Sequence, residues 1–583
     1  MRHLIVCCDG TWNSQDQDNV TNVRRLFDVL DKTDESYKNG QISHYVPGIG
    51  TEGNIVSRLV GGGLGLSVGF GPGRGLDSNV QEGYHWLITH YREGDLISLF
   101  GFSRGAYTAR SLAGLIAMCG LINVSDVNEQ ETWRRIRKVH RWYQSGYQRQ
   151  RYGKDQDGDA RWRDGLTFRF DPIDAKNIPV HFIGVWDTVG SLGIPDPQRW
   201  LAPIFSSRHY EFNDVRLNPY VRHARHAVAM DERRGPFTPT LWEDVEPRPP
   251  DAPKRDVKEV WFPGSHMDVG GGHRETGLSD GALQWMINEA RQTIHFGFHE
   301  TTVKQQVRPD FLDLLHDDDR SALGWLNPVL EPLIEPFLSL RPRAVPLIDP
   351  KIDLSGRSKN VDDSVYQRQR EDTPPIASGP YRPTRKLAGG EAQTVEVHAR
   401  QPWNETGLYL EAGDYTFSAE GQWLDKDIPA DPDGNTGLPN WRQPAVAAER
   451  LFRDVGTLIG ESEKLYRRLS KNKQASFPFA RREPDLPWMA LVCYVANNAV
   501  SINGKRKADH QRIDICSNEN KKTYHVSTPG YLYAFANDTW GFYGNNIGSI
   551  RLTVTRNSDT QNIQNTAPVP TPMSKPFGWG NPY

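Results

Sequence analysis

The stretch GDLISLFGFSRGAYTAR, residues 94–110, decides how this chain is read. An apolar run, Leu96 to Phe100, meets Gly101-Phe102-Ser103-Arg104-Gly105, and small residues at helical spacing follow from Ala106 to Cys119. This is the G-x-S-x-G pattern of a nucleophile elbow, a strand-to-helix turn so cramped that only glycine fits on both sides of the serine. Such a turn exposes the Ser103 hydroxyl. It also sets the Arg104 N–H at a helix N-terminus, where it can hold a developing oxyanion. An ordinary tight turn is the plainer reading of the same residues.

Outward from the elbow, residues 1–310 alternate strand-like apolar runs with helical stretches, which predicts an α/β-hydrolase-like catalytic domain: a mostly parallel sheet with flanking helices. Strands are expected at 4–8, 96–100, 180–186, 224–229 and 257–262. The glycine-rich piece 61–75 fits neither a dinucleotide nor a P-loop pattern, so a phosphate cradle is unsupported. Residues 131–152 read as a basic, aromatic helix. Its arginines either meet anionic headgroups, with Trp142 and Tyr143 at the interface, or stay solvated while the aromatics pack inward. A Pro-rich irregular connection covers 311–385. Beyond it, 386–557 reads as an all-β sandwich or jelly roll with a helical insert at 445–469, and 558–583 as a flexible tail.

The balance of 69 basic and 72 acidic side chains, net −3, gives no field that would favour nucleic acid. Five cysteines without C-x-x-C spacing support neither a zinc site nor a disulfide framework, although a Cys493–Cys516 pair fits an oxidising compartment. The start, MRHLIVCCD, is a short buried strand rather than a signal peptide, and no apolar run is long enough for a membrane span. The expectation is cytoplasmic synthesis, with any export by a signal-independent route.

A serine needs a histidine to take its proton, and the histidine a carboxylate to orient it. The order Ser, Asp, His of α/β hydrolases is met by Ser103, by Asp187 after the run His181 to Trp186, and by His266 in WFPGSHMDVGGGH. Asp268 and Asp280 are rival acids; His223, His226 and His273 are rival bases. The second oxyanion donor is expected from Thr11 or Trp12 in CDGTWN, with Asp9 bracing that loop.

CDGTWN, GDLISLFGFSRGAYTAR, GVWDTVGSLG, WFPGSHMDVGGGH and LSDGALQWM together resemble the catalytic domain of type VI secretion phospholipase effectors, over roughly residues 1–300. The resemblance implies Ser103 as nucleophile, His266 as base and Asp187 as acid, with Asp268 also a motif residue. It implies hydrolysis of glycerophospholipid acyl esters in the membranes of rival bacteria, with no cofactor for catalysis. Secretion-spike and immunity partners fit it too. More faintly, the C-terminal part resembles calcium-dependent galactose-binding lectins. There Asp538, Asn545 and Asn546 have calcium-ligand-like spacing, with Phe542 where an oxygen donor would help.

Three readings follow. The first is a serine esterase of the phospholipase A type acting at a phospholipid membrane surface. A second gathers Asp9, Asp187, His266, Asp268 and His273 around a divalent metal for phosphoester hydrolysis. The third is a glycan-binding protein whose hydrolase domain is inactive.

Overall fold

Along β1 (His3–Cys8) the side chains alternate between two cores: Leu4, Val6 and Cys8 enter one, Ile5 and Cys7 the other, all fully buried. A strand buried on both faces belongs inside a parallel sheet covered by helices on each side. The computed structural model describes residues 2–10, 20–31, 40–48, 72–152, 160–173, 178–189, 217, 221–242, 254–295, 297–316, 340–349, 351, 358–371, 381–434, 482–483, 485–502, 505–515, 521–539 and 543–558.

Beside β1 lie β2 (Gln41–Val46) and β3 (Leu96–Phe102). A short antiparallel pair, β4 (Leu121–Ile122) and β5 (Phe168–Phe170), stands apart. With β6 (Val180–Trp186), β7 (His223–Ala229) and β8 (Asp256–Phe262) the main sheet runs β2-β1-β3-β6-β7-β8, every neighbour parallel. The five expected strands are present, some extended by a residue or two. The strand that went unread, β2, is an edge strand of mixed polarity whose first four residues are half-buried.

One face carries α1 (Asn22–Val29) and α6 (Gly277–Ile294), packed on Phe100, Phe102 and Phe182. The other carries α2 (Pro72–His90), α3 (Arg104–Cys119) and α4 (Glu129–Tyr152). Three short helices complete the set: α5 (His266–Gly270), α7 (Glu300–Gln306) and α8 (Asp363–Arg370). In α4 the inward packing holds and the membrane-facing reading of its aromatics does not. Tyr143 is fully buried and Trp142 stacks on Trp162 at 4.6 Å, while Arg134 and Arg135 pair with Glu131. Most of the glycine-rich piece lies outside the described residues; α2 begins at its Pro72.

The C-terminal region is a sandwich of two antiparallel sheets. One joins β10 (Asn404–Leu410), β16 (Gly530–Ala536), β13 (Leu491–Ile502) and β14 (Lys505–Asp514). The other joins β12 (Ile428–Ala430), β11 (Gly413–Asp425), β17 (Asn546–Arg556) and β9 (Ala392–His398), with β15 (Lys521–Val526) also on β11. Between them sit Trp423, Phe417, Leu491, Leu532 and Leu552. Cys493 is a free, buried thiol there, so it is not bridged; Cys516 lies outside the described residues, as do the 445–469 insert and the tail past residue 558.

The connection between these regions is a packed wedge. Val345, Ile348, Val361, Val365 and Tyr366 share one apolar cluster with Val228 and Trp261 of the α/β sheet and with Tyr531 and Tyr533 of the sandwich. Polar contacts fix it: the Ile348 N–H donates to Tyr531 Oη, and Trp403 Nε1 donates to the Leu340 carbonyl.

The parallel sheet turns back on itself at β1, with β2 on one side and β3 on the other, which opens a crevice at the strands' carboxyl ends. The elbow closes against it. A Cβ on Gly105 would strike the backbone carbonyls of Cys8 and Asp9, and one on Gly101 would strike the backbone of Gly105 and Ala106. Neither obstacle is a movable side chain. Gly105→Ala is therefore expected to lower stability by about 2–3 kcal/mol in urea unfolding; a variant within the error of wild type would show that this contact is not needed.

Candidate active site

Ser103 ends β3 in a backbone conformation that side-chain-bearing residues rarely adopt, φ 57° and ψ −121°. Such strain costs on the order of 1–3 kcal/mol and persists only where neighbours enforce it. Here the Ser103 N–H donates to the Trp186 carbonyl at 3.1 Å, and its own carbonyl accepts from the Tyr107 N–H at 3.3 Å. The next residue along β6 is Asp187, also at positive φ (34°), with its N–H held by the Ala227 carbonyl. Two strained residues on adjacent strand ends thus face one crevice.

His266 opens α5 immediately after β8. Its ring lies between Phe102, 4.6 Å away, and Phe237, 4.8 Å away and edge-on. Phe102 is the residue before Ser103, so this packing brings His266 beside the elbow. His266 Nδ1 sits 2.6 Å from Asp187 Oδ2. With Nδ1 committed to the carboxylate, proton transfer falls to Nε2.

Arg343 is the participant that sequence reasoning missed. Its guanidinium meets Asp187 in bidentate fashion, Nη1 to Oδ1 at 2.7 Å and Nη2 to Oδ2 at 3.0 Å, and it also donates to the carbonyls of Ala229 and Phe237. The Ala229 N–H supplies a further donor to Oδ1 at 2.9 Å. Burial alone would push the Asp187 carboxyl up; the Arg343 charge and the His266 hydrogen bond outweigh it and hold it well below the usual carboxylate range. Arg343 stands 156 residues from Asp187 in a Pro-rich stretch with no motif, so no spacing signal pointed to it.

Of the expected oxyanion donors, Arg104 begins α3, as the elbow requires. Thr11 and Trp12 lie outside the described residues. Asp9 braces the loop start, accepting from Tyr45 Oη at 2.5 Å, Thr21 Oγ1 at 2.7 Å and the Gly10 N–H at 2.6 Å. Burial still pushes its carboxyl up to about 6.

The rivals are occupied elsewhere. Asp268 accepts from the Ser265 N–H and from His316, and Asp280 pairs with Arg25. His226 is fully buried, with Glu259 on Nδ1 and the Thr188 N–H on Nε2. His223 sits at the amino end of β7 against Asp256, away from the crevice. His273 stacks on His316. The five-residue metal constellation therefore separates into three: Asp9 with its loop, Asp187 with His266, and Asp268 with His273. Among the described residues, only the last of these, joined by His316, forms a group within metal-ligating reach.

In the sandwich, Asn546 Nδ2 donates to Asp538 Oδ2 at 2.9 Å, and its buried Oδ1 has no partner. Asn545 instead faces Asp425, at 2.9 Å. Phe542 lies outside the described residues.

Comparison with known proteins bears on the α/β region. Residues 2–289 match the family model of the T6SS phospholipase effector Tle1-like catalytic domain, the family whose five motif blocks the sequence carries. An uncharacterized protein of Saccharomyces cerevisiae is 29% identical over 243 residues, which is 40% of this chain. The match takes in 32% of that protein, so the chain spans about a third of this relative's length. Among solved structures, an uncharacterized protein from Pseudomonas aeruginosa aligns with 53% of this chain and 49% of its own, at 18% identity and TM-score 0.28. The N-terminal domain of EclA, a PllA-like lectin, aligns with 28% of this chain and 94% of its own, at 16% identity and TM-score 0.16. At those scores neither bears on function.

Replacing Arg343 tests the buried pair. The depressed Asp187 carboxyl contributes stability above the unfolded-state carboxylate pKa and loses it as pH falls. In Arg343→Met, burial raises the carboxyl instead, and protonation relieves it. The variant is expected to be about 3–5 kcal/mol less stable at neutral pH, with the gap narrowing as pH falls toward the unfolded-state carboxylate pKa near about 4 and further below it. Denaturant titrations across that range measure it; a gap independent of pH would contradict the charge pairing.

Proposed function

We propose that the chain is a serine esterase of the phospholipase A type, hydrolysing acyl esters of glycerophospholipids, with Ser103 as nucleophile, His266 as base and Asp187 as the carboxylate that orients it. The family match supports the coarser statement, a phospholipase of type VI secretion systems. One observation carries the finer one: a 2.6 Å contact joins His266 to Asp187 at strand ends beside a strained serine. Ser103 Oγ attacks the acyl carbonyl while its proton passes to His266. The Arg104 N–H, with the loop bearing Thr11 and Trp12, holds the oxyanion. His266 then protonates the departing lysophospholipid alkoxide. Water, deprotonated by the same ring, cleaves the acyl-enzyme and frees the fatty acid. Arg343 keeps Asp187 ionised through the cycle.

Substrate lies in a membrane surface, and the antibacterial role, secretion-spike docking, an immunity partner and signal-independent export from the cytoplasm all rest on the family alone. Among the described residues no helix is long and apolar enough to cross a membrane. In the sandwich we propose a Ca²⁺ site built on Asp538 and Asn546, with Asn545 and Asp425 beside them; glycan binding there rests on the faint lectin resemblance alone. The unpartnered Asn546 Oδ1 favours it. Burial, then the facing Asp425 charge, pushes Asp538 up to about 7, and a divalent cation would offset that repulsion.

Ser103→Ala is expected to abolish fluorophosphonate labelling and to cut phospholipid hydrolysis by at least about a thousandfold with the fold intact by circular dichroism; full activity in a folded variant would end the assignment. Calcium should raise the unfolding midpoint of the wild-type chain and leave Asp538→Asn unmoved. A wild-type midpoint insensitive to calcium would rule out the ion.

A further inference from the structure

Next to the crevice, but sharing no residue with it, Asp268, His273 and His316 bring ligand atoms within 4.8 Å of one another. Asp268 lies in α5; His273 follows the Gly271-Gly272 turn, both glycines at positive φ (82° and 121°); His316 comes from the stretch after α7. The two imidazoles stack with centroids 3.7 Å apart and planes 13° from parallel. His316 Nδ1 is 2.6 Å from Asp268 Oδ1, and its Nε2 is 3.3 Å from Glu275 Oε2.

Asp268 is itself held in place. Its Oδ2 accepts from the N–H groups of Ser265 and His316 and from the Ser265 hydroxyl, which leaves Oδ1 turned to the imidazole. The carboxylate is nearly inaccessible, at 1% exposure, and His316 is 16% exposed. Two neutral imidazoles and one carboxylate, with the Glu275 carboxylate behind His316, suit a divalent cation.

We propose that Asp268, His273 and His316 bind a divalent transition metal of the zinc class, with Glu275 as the carboxylate that accepts the outer ring proton of His316. A mixed nitrogen and oxygen set selects such an ion, whereas calcium or magnesium would want oxygen alone. Binding at His316 Nδ1 shifts that ring's proton to Nε2, where Glu275 accepts it. The stacked rings must also turn about their side-chain torsions until their lone pairs converge; the backbone need not move. The ligands bridge two segments of the chain and none of them belongs to the Ser103, Asp187 and His266 set, so the ion is structural. It ties the 307–316 segment to α5, the helix whose first residue is His266. Ser103, Asp187 and His266 are not ligands, so hydrolysis does not pass through the metal and the proposal stands apart from the esterase reading.

The test uses the full-length, untagged chain, stripped with chelator and then titrated with Zn²⁺. The expected result is one zinc retained per chain after gel filtration, a raised unfolding midpoint, and an intense tetrahedral visible spectrum with Co²⁺ in its place. His316→Gln and His273→Gln should each weaken Zn²⁺ binding at least about tenfold. His273→Gln, which leaves the His316–Asp268 contact in place, should keep fluorophosphonate labelling and the metal-free unfolding midpoint of wild type. Absence of retained zinc and of a midpoint shift in the wild-type chain would overturn the proposal, and so would variants that bind Zn²⁺ as tightly as wild type. Loss of labelling in the stripped wild-type chain would also overturn it, because the ion would then belong to the reaction.

Discussion

A carboxylate without access to water stays ionised only where donors replace its hydration shell, and Asp187 draws its donors from three parts of the chain. His266 arrives from the turn after β8, the Ala229 N–H from the end of β7, and Arg343 from the connection to the sandwich. Leaving such a charge without partners would cost several kcal/mol, comparable with a large share of a domain's net stability. The arrangement of the crevice follows from that constraint. The positive φ at Asp187, the packing of Phe237 on His266 and the approach of the wedge all serve to surround one side chain.

Much of the α/β region was legible because its signals are local. Apolar runs of five to seven residues marked the interior strands, and the glycines around Ser103 marked the elbow, since the crowding they relieve lies in the adjacent backbone. The sandwich was legible as a class, but its strands were not separated: β16 is buried at all seven positions and shows no alternation. What stayed hidden has a common cause. β2 is an edge strand and lacks the continuous apolar run. Arg343 meets its partner across 156 residues, a distance over which no periodicity carries information. His316 joins Asp268 in the same way, 48 residues on.

Competing assignments separated on hydrogen-bond accounting rather than on residue type. His226 resembles a base by position, yet both of its ring nitrogens are engaged inside the core. Asp268 belongs to the same motif as His266, but it braces the turn that presents the histidine, through Ser265 and His316. A buried polar group must be satisfied, and the partner that satisfies it defines its task. In α4 the same logic applies to charge: Arg134 and Arg135 are absorbed by Glu131 within a turn of helix, and the aromatics go to the core.

The wedge that delivers Arg343 is moored to the sandwich. His510 contacts the Pro342 carbonyl at 2.7 Å, and Tyr531 receives the Ile348 N–H. The cation beside Asp187 is thus held from the sandwich as well as from the α/β side, where the Arg341 N–H donates to the Arg233 carbonyl. The segment bearing Arg343 is therefore anchored on both flanks, to β14 and β16 on one side and to the turn after β7 on the other, and works as a tie-rod between the two halves of the chain.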